Sequence, residues 1–271
     1  MRRRPDIATA FLALALALAA PGHAQAQAQT AQKTGIVFMH GKQGNPGEPP
    51  LANFIVSLKS AGYFVDTPEM CWSGRRIYDK PYLDCLTEID LAVARLKAAG
   101  ATAIVIAGHS LGGNGALGYA ARHDGIAAVI ALAPGPENRY LDTQPVVAAS
   151  LERARQMVAQ GQGDVFADFT DYNTNRFGTG PIPVRTTATS FISFDAADGP
   201  AEMTANVPRV KAPMLIVSGT DDPSQRNSDM LFALAPPNPL SKHFIIDANH
   251  MGTPEAAIGI VLSWLAALPK P

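Results

Sequence analysis

Cysteine is nearly absent: the 271 residues hold two, Cys71 and Cys85. No grouping of cysteine and histidine has zinc spacing, and no run of carboxylates has the form of a calcium loop. Charge is scarce as well. Lys, Arg, Asp and Glu together make 17% of the chain, and the formal net charge is −1. After the first four residues there is no basic stripe or cluster, which argues against nucleic acid as a partner. After residue 20 there is also no apolar run of the roughly 20 residues that cross a bilayer. Apolar residues are plentiful at 47%, and a chain of this length can bury them in one large α/β domain.

The N-terminus reads as an address. Arg2, Arg3 and Arg4 precede the apolar run IATAFLALALALAA and then PGHAQAQAQT. A basic start, a short apolar core and small residues are the parts of a secretory signal peptide. Residues 1–24 are assigned to it and 25–271 to the mature domain, with cleavage expected after Ala24 or Ala26. An uncleaved anchor and a twin-arginine signal are the weaker alternatives. Loss of three arginines and one aspartate moves the formal charge from −1 to −3. The destination is periplasmic or secreted, where disulfides form. A Cys71–Cys85 bridge is therefore expected across CWSGRRIYDKPYLDC, the alternative being two buried thiols.

Six short β-branched runs read as buried strands: 34–41, 62–69, 101–110, 126–134, 212–220 and 242–250. Amphipathic patterns lie between them. Leu51, Phe54, Ile55 and Leu58 share one helical face, as do Leu86, Ile89, Val93 and Leu96. The C-terminal run TPEAAIGIVLSWLAALP opens on a threonine cap and a first-turn proline. Continuous apolar strands alternating with helices predict a mostly parallel twisted sheet with helices on both faces. Residues 135–211 break the rhythm. They hold a helical stretch, VVAASLERARQMVAQG, then a polar segment bearing aromatics, and together read as a cap or lid.

Gly108-His109-Ser110-Leu111-Gly112 matches G-x-S-x-G. A strand runs into it and a small-residue helix runs out, the setting in which this motif makes a nucleophile elbow. A serine hydroxyl needs a base to take its proton. Of six histidines, His250 in DANHMGTP lies after the last strand, over the sheet's C-terminal edge, where sites in such folds collect. His40, His123 and His243 are bound to other elements, His23 falls in the leader, and His109 is expected to point away from the nucleophile. An acid must orient the imidazole. SGTDDP offers Asp221 and Asp222, of which Asp222 is favoured; Asp195 and Asp198 are distant alternatives.

HGKQG, GHSLGG, GTDDP and NHMG, in that order at successive strand ends, resemble the α/β-hydrolase superfamily over most of residues 34–268. The resemblance implies an ester- or amide-cleaving serine enzyme with a cap between the family's sixth and seventh strands, where residues 135–211 fall. It also implies an oxyanion hole of two backbone N–H groups: Leu111, and Lys42 or alternatively Gln43. Lys42 stands where many members carry an apolar residue or glycine, and KQGNPGEPP is unusually polar.

Other patterns carry less. Gly113, Gly115 and Gly118 match G-x-G-x-x-G but lie inside the helix, so close packing on the sheet is the better reading. Phe166, Phe169, Tyr172, Phe177, Phe191 and Phe194 suit a small core of the cap better than an acyl pocket. Arg75, Arg76 and Arg185 read as solvated surface before an anion site. The expected function is a serine carboxylesterase acting on a small-molecule ester, without metal or organic cofactor. Peptidase or acyltransferase activity on the same residues is one alternative, and a non-catalytic binding protein of the same fold is another.

Overall fold

The apolar runs of the chain become one parallel sheet, and the computed structural model describes residues 34–173, 180–222 and 225–269. The leader, Phe177 and Pro223 lie outside the described residues. Strands β1 (Thr34–Met39), β2 (Phe64–Asp66), β3 (Ala103–His109) and β4 (Ala128–Leu132) come first. The hairpin strands β5 (Phe166–Asn173) and β6 (Gly180–Thr187) follow, then β7 (Met214–Asp221) and β8 (Lys242–Asn249). The main sheet has the order β2-β1-β3-β4-β7-β8 with every pair parallel.

Strand period two sorts the side chains onto two faces. Ile36, Phe38, Val105 and Ala107 face one core, and Val37, Met39, Ile104 and Ile106 face the other. The first core is closed by α1 (Pro49–Ser60), through Leu51, Phe54, Ile55 and Leu58, and by the C-terminal helix. The second is closed by α2 (Tyr82–Ala98), through Leu86, Ile89 and Leu96, and by α3 (Leu111–Ala120). Each fully buried Ile, Leu or Phe stabilises the fold by about 1.5–3 kcal/mol. The expected strands and helices form within a few residues of their predicted bounds, but the edge strands are not buried as expected: β2 is half-buried and β8 largely exposed. The C-terminal run divides into α9 (Thr253–Ala256) and α10 (Ile258–Ala267), with Ala257 between them.

The insert enters between β4 and β7, the fourth and fifth strands of this six-stranded sheet, so the family's strand count is offset by two here. Residues 135–211 divide between two cores. The helices α4 (Asn138–Leu141) and α5 (Pro145–Ala159), the β5–β6 hairpin and α6 (Ala188–Asp195) enclose a small core. Leu141, Val147, Leu151, Phe169 and Phe191 fill it, and the Phe169 and Phe191 rings stack at 4.7 Å. Phe194 instead joins the main core, stacked on Tyr78 at 4.3 Å. Phe166 is exposed. The return path through α7 (Met203–Asn206) also packs on the main core, with Met203 and Val207 buried there. The remaining helix, α8 (Gln225–Ala233), follows β7. Among the described residues no helix is long and apolar enough to cross a membrane.

Cys71 and Cys85 form a disulfide, with Cα atoms 5.7 Å apart. The loop they close packs between α3 and the insert. A Cβ on Gly115 would stand 2.8 Å from the Trp72 ring, and one on Gly118 would collide with the Tyr82 hydroxyl. The helix glycines thus let two aromatic rings of the disulfide loop seat against α3, in line with the packing reading.

Candidate active site

Ser110 follows β3 immediately and adopts φ 57°, ψ −122°. A non-glycine residue here is strained by about 1–3 kcal/mol. The turn closes only because two neighbours lack side chains. A Cβ on Gly108 would overlap the backbone of Gly112, and a Cβ on Gly112 would overlap the Met39 carbonyl. The Ser110 N–H donates to the Leu132 carbonyl at 2.9 Å, and its own carbonyl accepts from Gly135 and Asn114. The side chain is left at the sheet's C-terminal edge. Its hydroxyl has no hydrogen-bond partner among the described residues.

β7 and β8 end at the same edge. A register shift between Gly219 and Asp221 interrupts their pairing, and such bulges re-aim the residues that follow. Asp222 comes next, 4% exposed, whereas Asp221 is exposed. His250 Nδ1 donates to Asp222 Oδ2 at 2.8 Å, and both side chains are buried. A carboxylate on Nδ1 fixes that proton, so the neutral ring keeps Nε2 unprotonated. Asp195 is fully buried in the insert and makes no hydrogen bond to His250, while Asp198 is on the surface with Arg155. Of the four candidate acids, only Asp222 meets the imidazole.

His109 takes a part that its sequence position did not show. Its Nε2 donates to the His250 carbonyl at 2.9 Å, and the two rings lie 4.7 Å apart. The residue before Ser110 thus ties the tight turn after β3 to the histidine-bearing turn. On the turn's far side, Asn249 accepts from the Gly252 N–H and Thr253 Oγ1 donates to the Asn249 carbonyl.

Leu111 opens α3, so its N–H has no acceptor within the helix. Facing it is the loop after β1. A Cβ on Gly41 would lie 3.0 Å from Ser110 Cβ and 3.5 Å from its Oγ. The Lys42 N–H has no backbone acceptor among the described residues, whereas the Gln43 N–H donates to the Trp72 carbonyl at 2.8 Å. That bond occupies the Gln43 donor, while the Lys42 N–H stays unengaged by backbone. The loop is stitched to the disulfide loop at several further points. Met70 N–H donates to His40 Nε2, the Trp72 indole donates to the His40 carbonyl, and Gly74 N–H donates to the Gly44 carbonyl.

The Lys42 side chain reaches the insert. Its Nζ donates to both Asp171 oxygens, at 2.8 and 2.6 Å, and to the Tyr172 carbonyl at 3.4 Å. Tyr78 Oη also donates to Asp171, at 3.0 Å. Burial and then the Asp171 charge push the Tyr78 phenol well above its ordinary value, so it stays protonated. Nearby, burial and the same charge push the Asp195 carboxyl well above the carboxylate range, against the opposing pull of Lys42. Around the Lys42–Asp171 ion pair, burial thus disfavours ionisation of both the Tyr78 phenol and the Asp195 carboxyl.

Beside this loop an open depression of about 510 Å³ is lined by Gln43, Gly44, Asn45, Pro46, Glu69, Gly74 and Arg75. All three arginines weighed as anion binders are already paired: Arg75 with Glu69, Arg76 with Asp79 and Glu88, and Arg185 with Asp168. Among the described residues no three His, Cys, Asp or Glu side chains group so as to hold a metal ion.

Known proteins share this architecture. Structures of LipS and LipT, two metagenome-derived lipolytic enzymes, include a chain 19% identical, with 88% of this chain and 93% of that one covered at TM-score 0.62. A Paleococcus ferrophilus monoacylglycerol lipase is 20% identical over 87% of this chain and 95% of its own, at TM-score 0.60. Est1E from Butyrivibrio proteoclasticus, solved with ferulic acid bound, is 21% identical over 86% and 88%, at TM-score 0.57. No curated protein matches the chain by sequence. A model of the alpha/beta hydrolase family matches residues 36–259, spanning the elbow, the insert and the Asp222–His250 pair, and the chain belongs to that family.

Proposed function

We propose that the protein is an exported serine hydrolase of carboxylic esters, working through an acyl-enzyme. The observation that carries this reading is the buried 2.8 Å contact between His250 Nδ1 and Asp222, at the same sheet edge as the strained Ser110 turn. Neighbours of the same fold include lipolytic enzymes and an esterase that binds ferulic acid, which favours esters over amides as the first substrates to try. In this mechanism His250 Nε2 takes the Ser110 proton as Oγ attacks the ester carbonyl carbon. The carbonyl oxygen becomes an oxyanion, held by the N–H groups of Lys42 and Leu111. Collapse expels the alkoxide, which takes the proton from His250 and leaves as an alcohol. Water then attacks the acyl-serine with His250 again as base, releasing the acid and restoring Ser110. Asp222 holds the tautomer and balances the imidazolium. The Ser110 hydroxyl makes no hydrogen bond to His250 in this structure, and the mechanism has that bond form in the substrate complex, as catalytic hydrogen bonds commonly do.

The test is a p-nitrophenyl ester series from acetyl to long chains, run beside fluorophosphonate labelling. The native protein should hydrolyse short or medium esters and take up the label at Ser110. Ser110→Ala should lose label entirely and activity by at least about a thousandfold. A native protein that neither turns over nor labels, beside an active control esterase, would instead favour a binding role for the fold.

A further inference from the structure

An oxyanion hole works only if its donors already point at the place where charge develops. Leu111 N–H is aimed by α3, but Lys42 stands on a loop three residues beyond the last paired residue of β1. What holds that loop comes from two directions. On one side the disulfide loop binds the backbone of residues 40, 43 and 44. On the other, the insert holds the Lys42 side chain itself, 10% exposed, by both oxygens of a fully buried carboxylate. Asp171 lies on β5, 129 residues away in sequence, and is kept in place by Tyr78 Oη and by the Tyr172 N–H.

We propose that Asp171 is a positioning residue for the hydrolytic reaction: by clamping the Lys42 ammonium it sets the direction of the Lys42 N–H, so the oxyanion hole is complete only when the insert is seated. This rests on the reading of Lys42 N–H as an oxyanion donor. Asp171 touches neither substrate nor the reacting atoms. Its contribution is transmitted through one side chain to the N–H of the same residue. A shared tie of this kind makes the two ends non-additive, because cutting either end releases the same loop.

The experiment compares native protein with Asp171→Asn, Lys42→Met and the double variant. Lys42→Met keeps its N–H and loses only the tie. The double variant removes both buried charges together, which often leaves stability intact, so it keeps the test usable if Asp171→Asn does not fold. Rates are read on p-nitrophenyl butyrate, and inhibition with a butyl trifluoromethyl ketone, whose hemiketal mimics the oxyanion. Each variant should lose about 10- to 100-fold in kcat with KM within about twofold, the scale set by small misplacements of catalytic groups. Ketone binding should weaken by the same factor, and the double should be no worse than the singles. A folded double variant with native kcat and native ketone affinity overturns the inference. So does a fall in kcat without loss of ketone affinity. Native protein that neither hydrolyses esters nor labels at Ser110 overturns the underlying reading and this inference with it; active native protein with unaffected variants overturns only the inference.

Discussion

At the residue scale, adjacent aspartates illustrate how little sequence separates the proposed catalytic acid from a bystander. Asp221 still pairs with Asn249 at the end of β7 and faces solvent, while Asp222, one step past the register shift, is buried on His250. Asp222→Asn should lower kcat by about 10⁴ through the wrong imidazole tautomer. Asp221→Asn should stay within about twofold of the native rate, surface changes being near neutral. Equal losses on p-nitrophenyl butyrate would reject the assignment of the acid. Asp195 makes a separate prediction. Its unfolded form ionises near the ordinary carboxylate value, whereas burial and the Asp171 charge hold the folded form protonated to higher pH, and Asp142 adds to the effect against Lys42. The folded state then binds the extra proton, so this group's contribution falls as pH rises above the ordinary carboxylate range. Asp195→Asn has no proton to release. Its urea midpoint relative to native should therefore improve as pH rises above the ordinary carboxylate range, and a constant difference would refute the assignment.

At the scale of elements, local pattern made the central sheet legible. Ile36, Val105 and Ile130 sit in apolar runs bounded by turns, and burial on both faces is what such runs mean. The elbow was legible because its glycines answer a steric demand written within five residues. The β5–β6 hairpin was not. Its inward positions include Asp171, Asn173 and Thr186, and Pro181 and Pro183 stand in β6, so neither alternation nor strand propensity marks it. The Lys42–Asp171 clamp joins residues 129 apart, and no spacing rule reaches that far. A lone aspartate at an inward position of FADFTDYN was the one available clue, and it needed the strand to be known first. His109's bond to the His250 carbonyl was hidden for the same reason. The disulfide loop yields its own prediction. Replacing Cys71 and Cys85 by serine should cost about 3 kcal/mol in the chain-entropy account of a loop this size. Because Met70, Trp72 and Gly74 hold the loop after β1, kcat should fall as well under conditions where the variant remains folded. Urea titration and ester kinetics on the same preparation check both, and a stability loss with unchanged kcat would separate the bridge from the site.

At the scale of the whole molecule, one insert contributes to both cores, and its return through Met203 and Val207 closes the face of the main sheet beside α3. Production with export should give a mature N-terminus at residue 25 or 27, read by N-terminal sequencing, together with a bridged Cys71–Cys85 peptide in a non-reducing digest. An intact leader or two free thiols in the exported protein would contradict the proposed route. The bridge also orders events in time. A chain still inside a reducing cell lacks the crosslink that braces the loop beside Ser110. If the proposed export holds, the newly made chain lacks that brace and, by the prediction above, should turn over esters more slowly until it has crossed the membrane and been oxidised.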